Sequence, residues 1–216
     1  AVVLATAAPD AAALAAPLVR DWPGGRAAIA RLEAIPGVPT LTLIAAYPER
    51  GEPLEFDLWF PLETTMLHAI SNESGKRAPA GRRVLVLQAR PNYSAAHLDA
   101  DPAVWSAELL WEASELLGRW AAKPAWIRTH VWPFARVRAR HQLAEPIVLR
   151  APGGAALAFA GDAFGPEAGL EAAYLSGLAV GERIAALLHD RQRRHARASR
   201  ASGAGIAHGG GVADPV

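Results

Sequence analysis

Two hydrophobic rhythms divide the chain. It opens on a β-branched apolar run, Val2 to Ala5, whose lack of alternation marks a buried strand with neighbours on both sides. Pro9 to about Arg20 reads as a helix of small residues. The segment DWPGG (Asp21 to Gly25) is a turn, and Arg26 to Ala34 predicts a second, shorter helix. From Pro39 the rhythm changes to period two. Thr40 to Tyr47 predicts a strand, and Leu54, Phe56, Leu58 and Phe60 fall on one side of another. Met66 to Ser71 and Arg83 to Ala89 continue this sheet, with a polar loop from Asn72 to Arg82 between them.

Asp101-Pro102 starts a helix, with Asp as cap and Pro at the first helical position. Leu109, Leu110, Leu116, Leu117 and Trp120 recur at helical spacing and face the sheet. The strand WIRTHVW then places Trp126, Arg128, His130 and Trp132 on one face and Ile127, Thr129 and Val131 on the other. Leu157 to Ala160 predicts a last strand, and Glu167 to Leu188 a last helix. The expected fold class is therefore α/β plus α+β. Residues 1–36 and 136–190 form one α/β piece, and residues 37–135 an inserted antiparallel sheet with its helix over 101–121. Residues 191–216 read as a basic, disordered tail.

Composition narrows the classes. At 51% hydrophobic and 20% charged residues the chain is globular rather than disordered. Net charge is only +1, and the excess base sits in one run, Arg191, Arg193, Arg194, Arg197 and Arg200. Such a run reads as a solvated end, so no nucleic-acid partner is expected. The absence of cysteine excludes disulfides, thiolate metal sites and thiol nucleophiles. Pro9, Asp10 and Pro17 interrupt the alanine-rich start, which also lacks the basic region of a signal peptide. The expectation is a cytoplasmic protein without a membrane partner. Because Ala1 leads at once into a buried-strand pattern, the chain also reads as one whose beginning lies elsewhere.

The segment AFAGDAFGPEAGLEAAYLSG, Ala158 to Gly177, carries the most specific local chemistry. A strand ends in Gly161-Asp162, and a glycine-bearing turn opens a helix of small residues. A helix N-terminus attracts phosphate or a negative oxygen, and Gly169, Ala172, Ala173, Ser176 and Gly177 would let a ligand approach the backbone. Tight packing of helix on sheet, with Gly177 and Gly181 one turn apart, explains the same residues without a ligand. His130 and Trp132 also leave two readings open: an aromatic wall with a polar handle lining a pocket, or wide side chains packed under the Asp101 helix. No G-x-G-x-x-G follows a strand, since GAGIAH at Gly203 to His208 precedes no helix. No serine sits in a nucleophile elbow, the histidines lack metal-ligand spacing, and Glu112 and Glu115 read as solvated. No residue is singled out as catalytic or as a metal ligand.

Four segments taken together resemble a known family. VVLATAAPDAAALAAP is similar to a family strand and helix written V-V-L-A-x-P-A-P; MLHAISNESGKR with VLVLQARPNYSAAHLD to a substrate-domain strand, an Asn-Ser-Lys loop and a W-S-x-x-H-L segment; HVWPFA to an H-R-W-x-Y-A strand; and AGDAFGPEAGLEAAYLSG to A-G-D…V-E-G-A-x-x-S-G. In this order they resemble the C-terminal two-thirds of the renalase-like NAD(P)/FAD-dependent oxidoreductases, relatives of the flavin amine oxidases.

The resemblance implies a partial Rossmann-like FAD-binding domain with an inserted antiparallel-sheet substrate domain. It implies FAD as cofactor: Asp162 on the ribityl chain, Gly161 making room, the turn at Gly169, and the backbone of Leu170, Glu171 and Ala172 at the pyrimidine edge of the flavin. Ala5 would sit by the adenosine. Asn72, His130 and Trp132 would border the substrate, a reduced nicotinamide-type (NAD(P)H-like) or amine molecule that gives a hydride to flavin. It further implies a preceding segment with the glycine-rich loop, so this chain alone would be incomplete and inactive. The rival expectation is a non-catalytic ligand-binding module, or one subunit of a split flavoprotein whose partner chain completes the sheet beside Val2 to Ala5.

Overall fold

A computed structural model describes residues 1–48, 53–76, 82–138 and 140–204. The chain divides into two compact units: Ala1–Ile35 with the described part of Ala139–Val216, and Pro36–Arg138. It is a mixed α/β chain, with elements numbered here along the sequence.

In the first unit, strand β1 (Val2–Leu4) leads into helices α1 (Ala8–Val19) and α2 (Gly25–Glu33); strands β7 (Ile147–Arg150) and β8 (Ala156–Phe159) then lead into helix α5 (Leu170–Ala204). The sheet order is β1-β8-β7, with β1 parallel and β7 antiparallel to β8. α1 buries Ala8, Ala11, Ala12, Ala15 and Val19, and α2 buries Ala28, Ile29 and Leu32. The turn between them needs its two glycines for different reasons: Gly24 has φ +73°, and a Cβ on Gly25 would overlap the Val19 carbonyl oxygen. β1 differs from expectation. Among the described residues it pairs with β8 alone, and Val2 and Val3 are 58% and 45% exposed.

Helix α5 corrects a second expectation. It runs for 35 residues and carries the arginine run, read from sequence as disordered tail, as far as Ala204. Arginine and alanine are strong helix formers, and neither glycine nor proline interrupts the stretch between Gly181 and Gly203. The side chains of Arg191, Arg193 and Arg194 are exposed. Residues 205–216 of the predicted tail, His208 among them, lie outside the described residues.

The second unit is an antiparallel sheet of order β3-β4-β5-β2-β6: β2 (Gly37–Ala46), β3 (Leu58–Trp59), β4 (Leu67–Asn72), β5 (Val84–Ala89) and β6 (Trp126–Val137). Between β5 and β6 come helices α3 (Pro91–Ala96) and α4 (Pro102–Leu117) and a 3-10 turn, Arg119–Ala122. Asp101 caps α4 by accepting from the Ala103 N–H at 2.8 Å. Trp105, Leu109 and Ala113, one turn apart, are wholly buried with Leu41, Leu43 and Ala45 of β2 and Leu85 and Leu87 of β5. β6 continues past Trp132 to Val137, so the unit ends at Arg138, beyond the border at 135 read from sequence. The alternation over Leu54–Phe60 shrinks to the two-residue β3. Leu54, Phe56 and Trp59 pack on the core, while Leu58 and Phe60 are about half exposed, so the phase switches at Asp57.

Among the described residues no helix is long and apolar enough to cross a membrane, and no group of acidic or histidine side chains is placed to hold a metal ion.

Candidate functional site

The parallel pair β1/β8 sets the first site. Leu4 lies opposite Phe159, and the Ala160 N–H donates to the Leu4 carbonyl at 3.0 Å, so both strands end at the same level. The carboxyl ends of parallel strands are where open α/β sheets hold ligands. Ala5 leaves the end of β1 exposed. Gly161 leaves the end of β8 with φ +136°, and a Cβ there would stand 3.9 Å from the Thr6 carbonyl. The two turns are therefore neighbours, and the backbone of one faces the other across a glycine.

Ser176 fixes this turn from below. Its buried hydroxyl accepts from the Gly161 N–H at 2.9 Å and lies 2.9 Å from the carbonyls of Gly161 and Ala173, to one of which it donates. Read from sequence only as a small residue, Ser176 is the peg that joins α5 to the strand end. The Asp162 carboxylate, half-buried, has no hydrogen-bond or ion-pair partner among the described residues. Gly165 and Gly169 hold φ of +120° and +122°, and the space around an added Cβ at Gly169 is open. Gly169 supplies no capping side chain to α5. The first closed bond of the helix runs from the Ala173 N–H to the Gly169 carbonyl at 3.0 Å. The N–H groups of Leu170, Glu171 and Ala172 thus have no acceptor among the described residues.

The structure separates the two explanations of the small residues. Gly165 meets Ala172 at 3.7 Å from an added Cβ, which is ordinary packing, and Val180 packs on Ala158 and Ala160. Gly177 and Gly181 meet nothing within 4 Å and are not the packing glycines expected. Leu170, Tyr174 and Leu178 along this helix are 88%, 65% and 49% exposed. A cavity of about 450 Å³ in this unit lies elsewhere, at the amino end of β8, and none of the predicted cofactor residues lines it.

The second site is the side of the five-stranded sheet turned away from α4. Register sets Gln88 of β5, Thr42 of β2 and His130 of β6 in one row across three strands, with Thr40 and Trp132 in the next. His130 and Trp132 lie 4.1 Å apart by ring centroid, and Trp132 is 50% exposed. Leu41 and Leu43, of opposite parity, face Trp105 and Leu109 of α4. Packing under the Asp101 helix is thereby overturned for His130 and Trp132. Thr42 Oγ1 is buried without a partner among the described residues.

Asn72 does not join them. It pairs with Leu85, on the core side of the sheet. Its Nδ2 donates to the Phe56 carbonyl at 3.3 Å and its Oδ1 accepts from the Ser74 N–H at 3.2 Å, so the side chain shapes its own loop. Glu112, read as solvated, is buried. Its carboxylate accepts from the backbone N–H groups of Thr65 at 3.0 Å, Met66 at 3.1 Å and Leu67 at 2.6 Å, anchoring the start of β4. Its place three residues after Leu109, on the apolar side of α4, was the available signal.

No family model matches the chain, and no curated protein does. Among solved structures it is similar to a protein from Exiguobacterium sp. 255-15 provisionally assigned as a protoporphyrinogen oxidase, with TM-score 0.52 and 18% identity over 84% of this chain and 40% of that one. It is likewise similar to an oxidoreductase from Methanosarcina mazei, with TM-score 0.55 and 15% identity over 80% of this chain and 41% of that one. The likeness is one of fold. The chain spans about two fifths of the length of each.

Proposed function

We propose that this chain is part of an FAD-dependent oxidoreductase of the renalase-like, amine-oxidase-related group, the first unit being part of a Rossmann-like FAD-binding domain and the second a substrate domain. The observation that carries the reading is the end of the β1/β8 pair. There Gly161 turns at positive φ against the Thr6 carbonyl, Asp162 follows it with an unpartnered carboxylate, and the Ser176 hydroxyl ties this turn to helix α5, whose first three amides are uncapped among the described residues. These residues fit the group: Asp162 would accept from ribityl hydroxyls, the Leu170–Ala172 amides would face the electron-rich edge of the ring, and the missing side chains at Gly161 and Gly169 leave room for it. The Gly161 N–H is committed to Ser176 and would not contribute. A bound flavin would supply the hydride acceptor. The chain's own part is to orient, to offer fixed dipoles where negative charge develops and, with His130 and Trp132, to hold the substrate that gives up the hydride. Fold likeness to proteins described as oxidoreductases supports this at the level of architecture.

Flavin fluorescence titration tests it. We expect weak FAD binding that does not survive desalting, abolished by Asp162→Ala with the fold unchanged. Binding that ignores Asp162 overturns the reading. A second reading, one subunit of a split flavoprotein or a non-catalytic binding module, draws on the exposed outer edge of β1. A monodisperse monomer in light scattering argues against the split form.

A further inference from the structure

The side of the sheet that carries His130 and Trp132 also carries charge of one sign. Arg90, at the end of β5, donates from Nη2 to the Pro61 carbonyl at 2.8 Å, and its buried Nε has no acceptor among the described residues. Arg136, exposed, stands opposite Val38 near the end of β6, and Arg128 opposite Ile44 on the same strand. His68 occupies the bulge of β4 with Ala69, opposite Gln88, its ring 5.6 Å from that of Phe60. The Arg90 N–H donates to the Met66 carbonyl at 2.7 Å, two residues before His68, and Arg136 lies on the same side of the sheet two strands from Arg90. Burial, then the charges of Arg136 and Arg90, hold the His68 imidazole below its ordinary range.

Nothing among the described residues neutralises them. Glu73 is held by Lys76, Glu108 by Tyr93 near His97, and Glu112 by backbone amides. Among the described residues no hydrogen bond or ion pair reaches Arg128 or Arg136. A half-buried imidazole and two guanidinium groups share this side of the sheet, and the buried Arg90 Nε has no acceptor among the described residues; an anion would supply charge-assisted hydrogen bonds there.

We infer that this face binds the anionic end, a carboxylate or a phosphate, of a ligand whose planar apolar part lies along the sheet toward His130 and Trp132. β5 and β6 are two strand spacings apart, about 10 Å, which a small fused-ring molecule spans. Used as substrate site in the reaction proposed above, on which the word substrate rests, the face selects an anion over a free amine.

The probes are 2-naphthoate, 2-naphthyl phosphate and the 2-naphthylmethylammonium ion, added to the whole chain and followed by the His68 imidazole proton in NMR, assigned by its loss in His68→Gln. The anions should shift this signal and raise the His68 pKa, and Arg90→Gln with Arg136→Gln should weaken them about tenfold or more. The tighter of the two anions identifies carboxylate or phosphate as the recognised group. Arg136→Gln alone, at an exposed position, keeps the test open if the double variant does not fold. Equal binding of the ammonium ion, or unchanged anion binding in the folded arginine variants, overturns the inference. FAD titration of the same sample reports separately: anion binding without flavin binding overturns the flavin reading and supports this one, and flavin binding with cation preference does the reverse.

Discussion

Three backbone amides converge in each unit, and the chain treats them oppositely. At the start of β4, the N–H groups of Thr65, Met66 and Leu67 are filled by Glu112 from α4. At the start of α5, those of Leu170, Glu171 and Ala172 follow a residue without a side chain and are left to something else. The apolar surface divides the same way. The second unit wraps Trp105, Leu109 and two β-strands into a closed core, whereas the first shows Val2, Val3, Leu170 and Tyr174 to solvent. A folded chain satisfies buried amides wherever stability is their purpose. The first-turn amides of α5, at the exposed Leu170 and Glu171, stay open to solvent, or to the flavin of the reading proposed above.

The sharpest way to break the comparison is to empty the filled site. Glu112→Ala should cost about 3 kcal/mol or more by leaving buried amides unmatched, with Glu112→Gln milder, both read by urea unfolding. Next comes alkaline pH. Tyr47 is buried, its hydroxyl donates to the Ala121 carbonyl at 2.8 Å, and burial, against the opposing charge of Arg83, pushes its pKa from 10.0 up to about 12. The folded state thus holds the proton more tightly. Its stabilisation of about 2–3 kcal/mol is whole below pH 10 and lost as pH rises through 12. Tyr47→Phe should flatten that part of the stability–pH curve.

Smaller effects fall on the open site. Gly177→Ala and Gly181→Ala meet no neighbour and should each stabilise the chain by about 0.5–1 kcal/mol in thermal unfolding. Destabilisation by either would mean that another surface already packs there. Asp162→Ala should change stability by less than about 0.5 kcal/mol while removing FAD binding. Glu112→Ala should leave flavin affinity alone wherever the protein remains folded.

Local chemistry made much of this legible. Asp101-Pro102 announces α4, the DWPGG turn needs Gly24 and Gly25, and the strand before Gly161-Asp162 is where its apolar run ends. The losses were nonlocal. The side of the sheet faced by His130 and Trp132 depends on register with Thr42 and Thr40, and the sign of that face on Arg90 and Arg136, which the sequence holds 46 positions apart. Asn72, read from sequence as the start of a polar loop, is the last residue of β4, and only its pairing with Leu85 turns it to the core side. Glu112 read as solvated because its partners are backbone amides, which carry no sequence signature. Strand β7 is the exception: its local signature, an apolar run Ile147–Leu149 closed by the turn Pro152-Gly153-Gly154, stands in the sequence, yet it is not among the elements expected there.

The second unit begins and ends at one hydrogen bond, from the Arg138 N–H to the Pro36 carbonyl at 3.0 Å. It is made of one continuous stretch, whereas β1 must wait for β8, emitted far later by the ribosome, before the two can pair. The inserted unit can therefore fold first and draw the two halves of the other together, sparing them the closure entropy of a long loop. Slowing its folding should delay β1/β8 pairing even though no residue of that pair has changed.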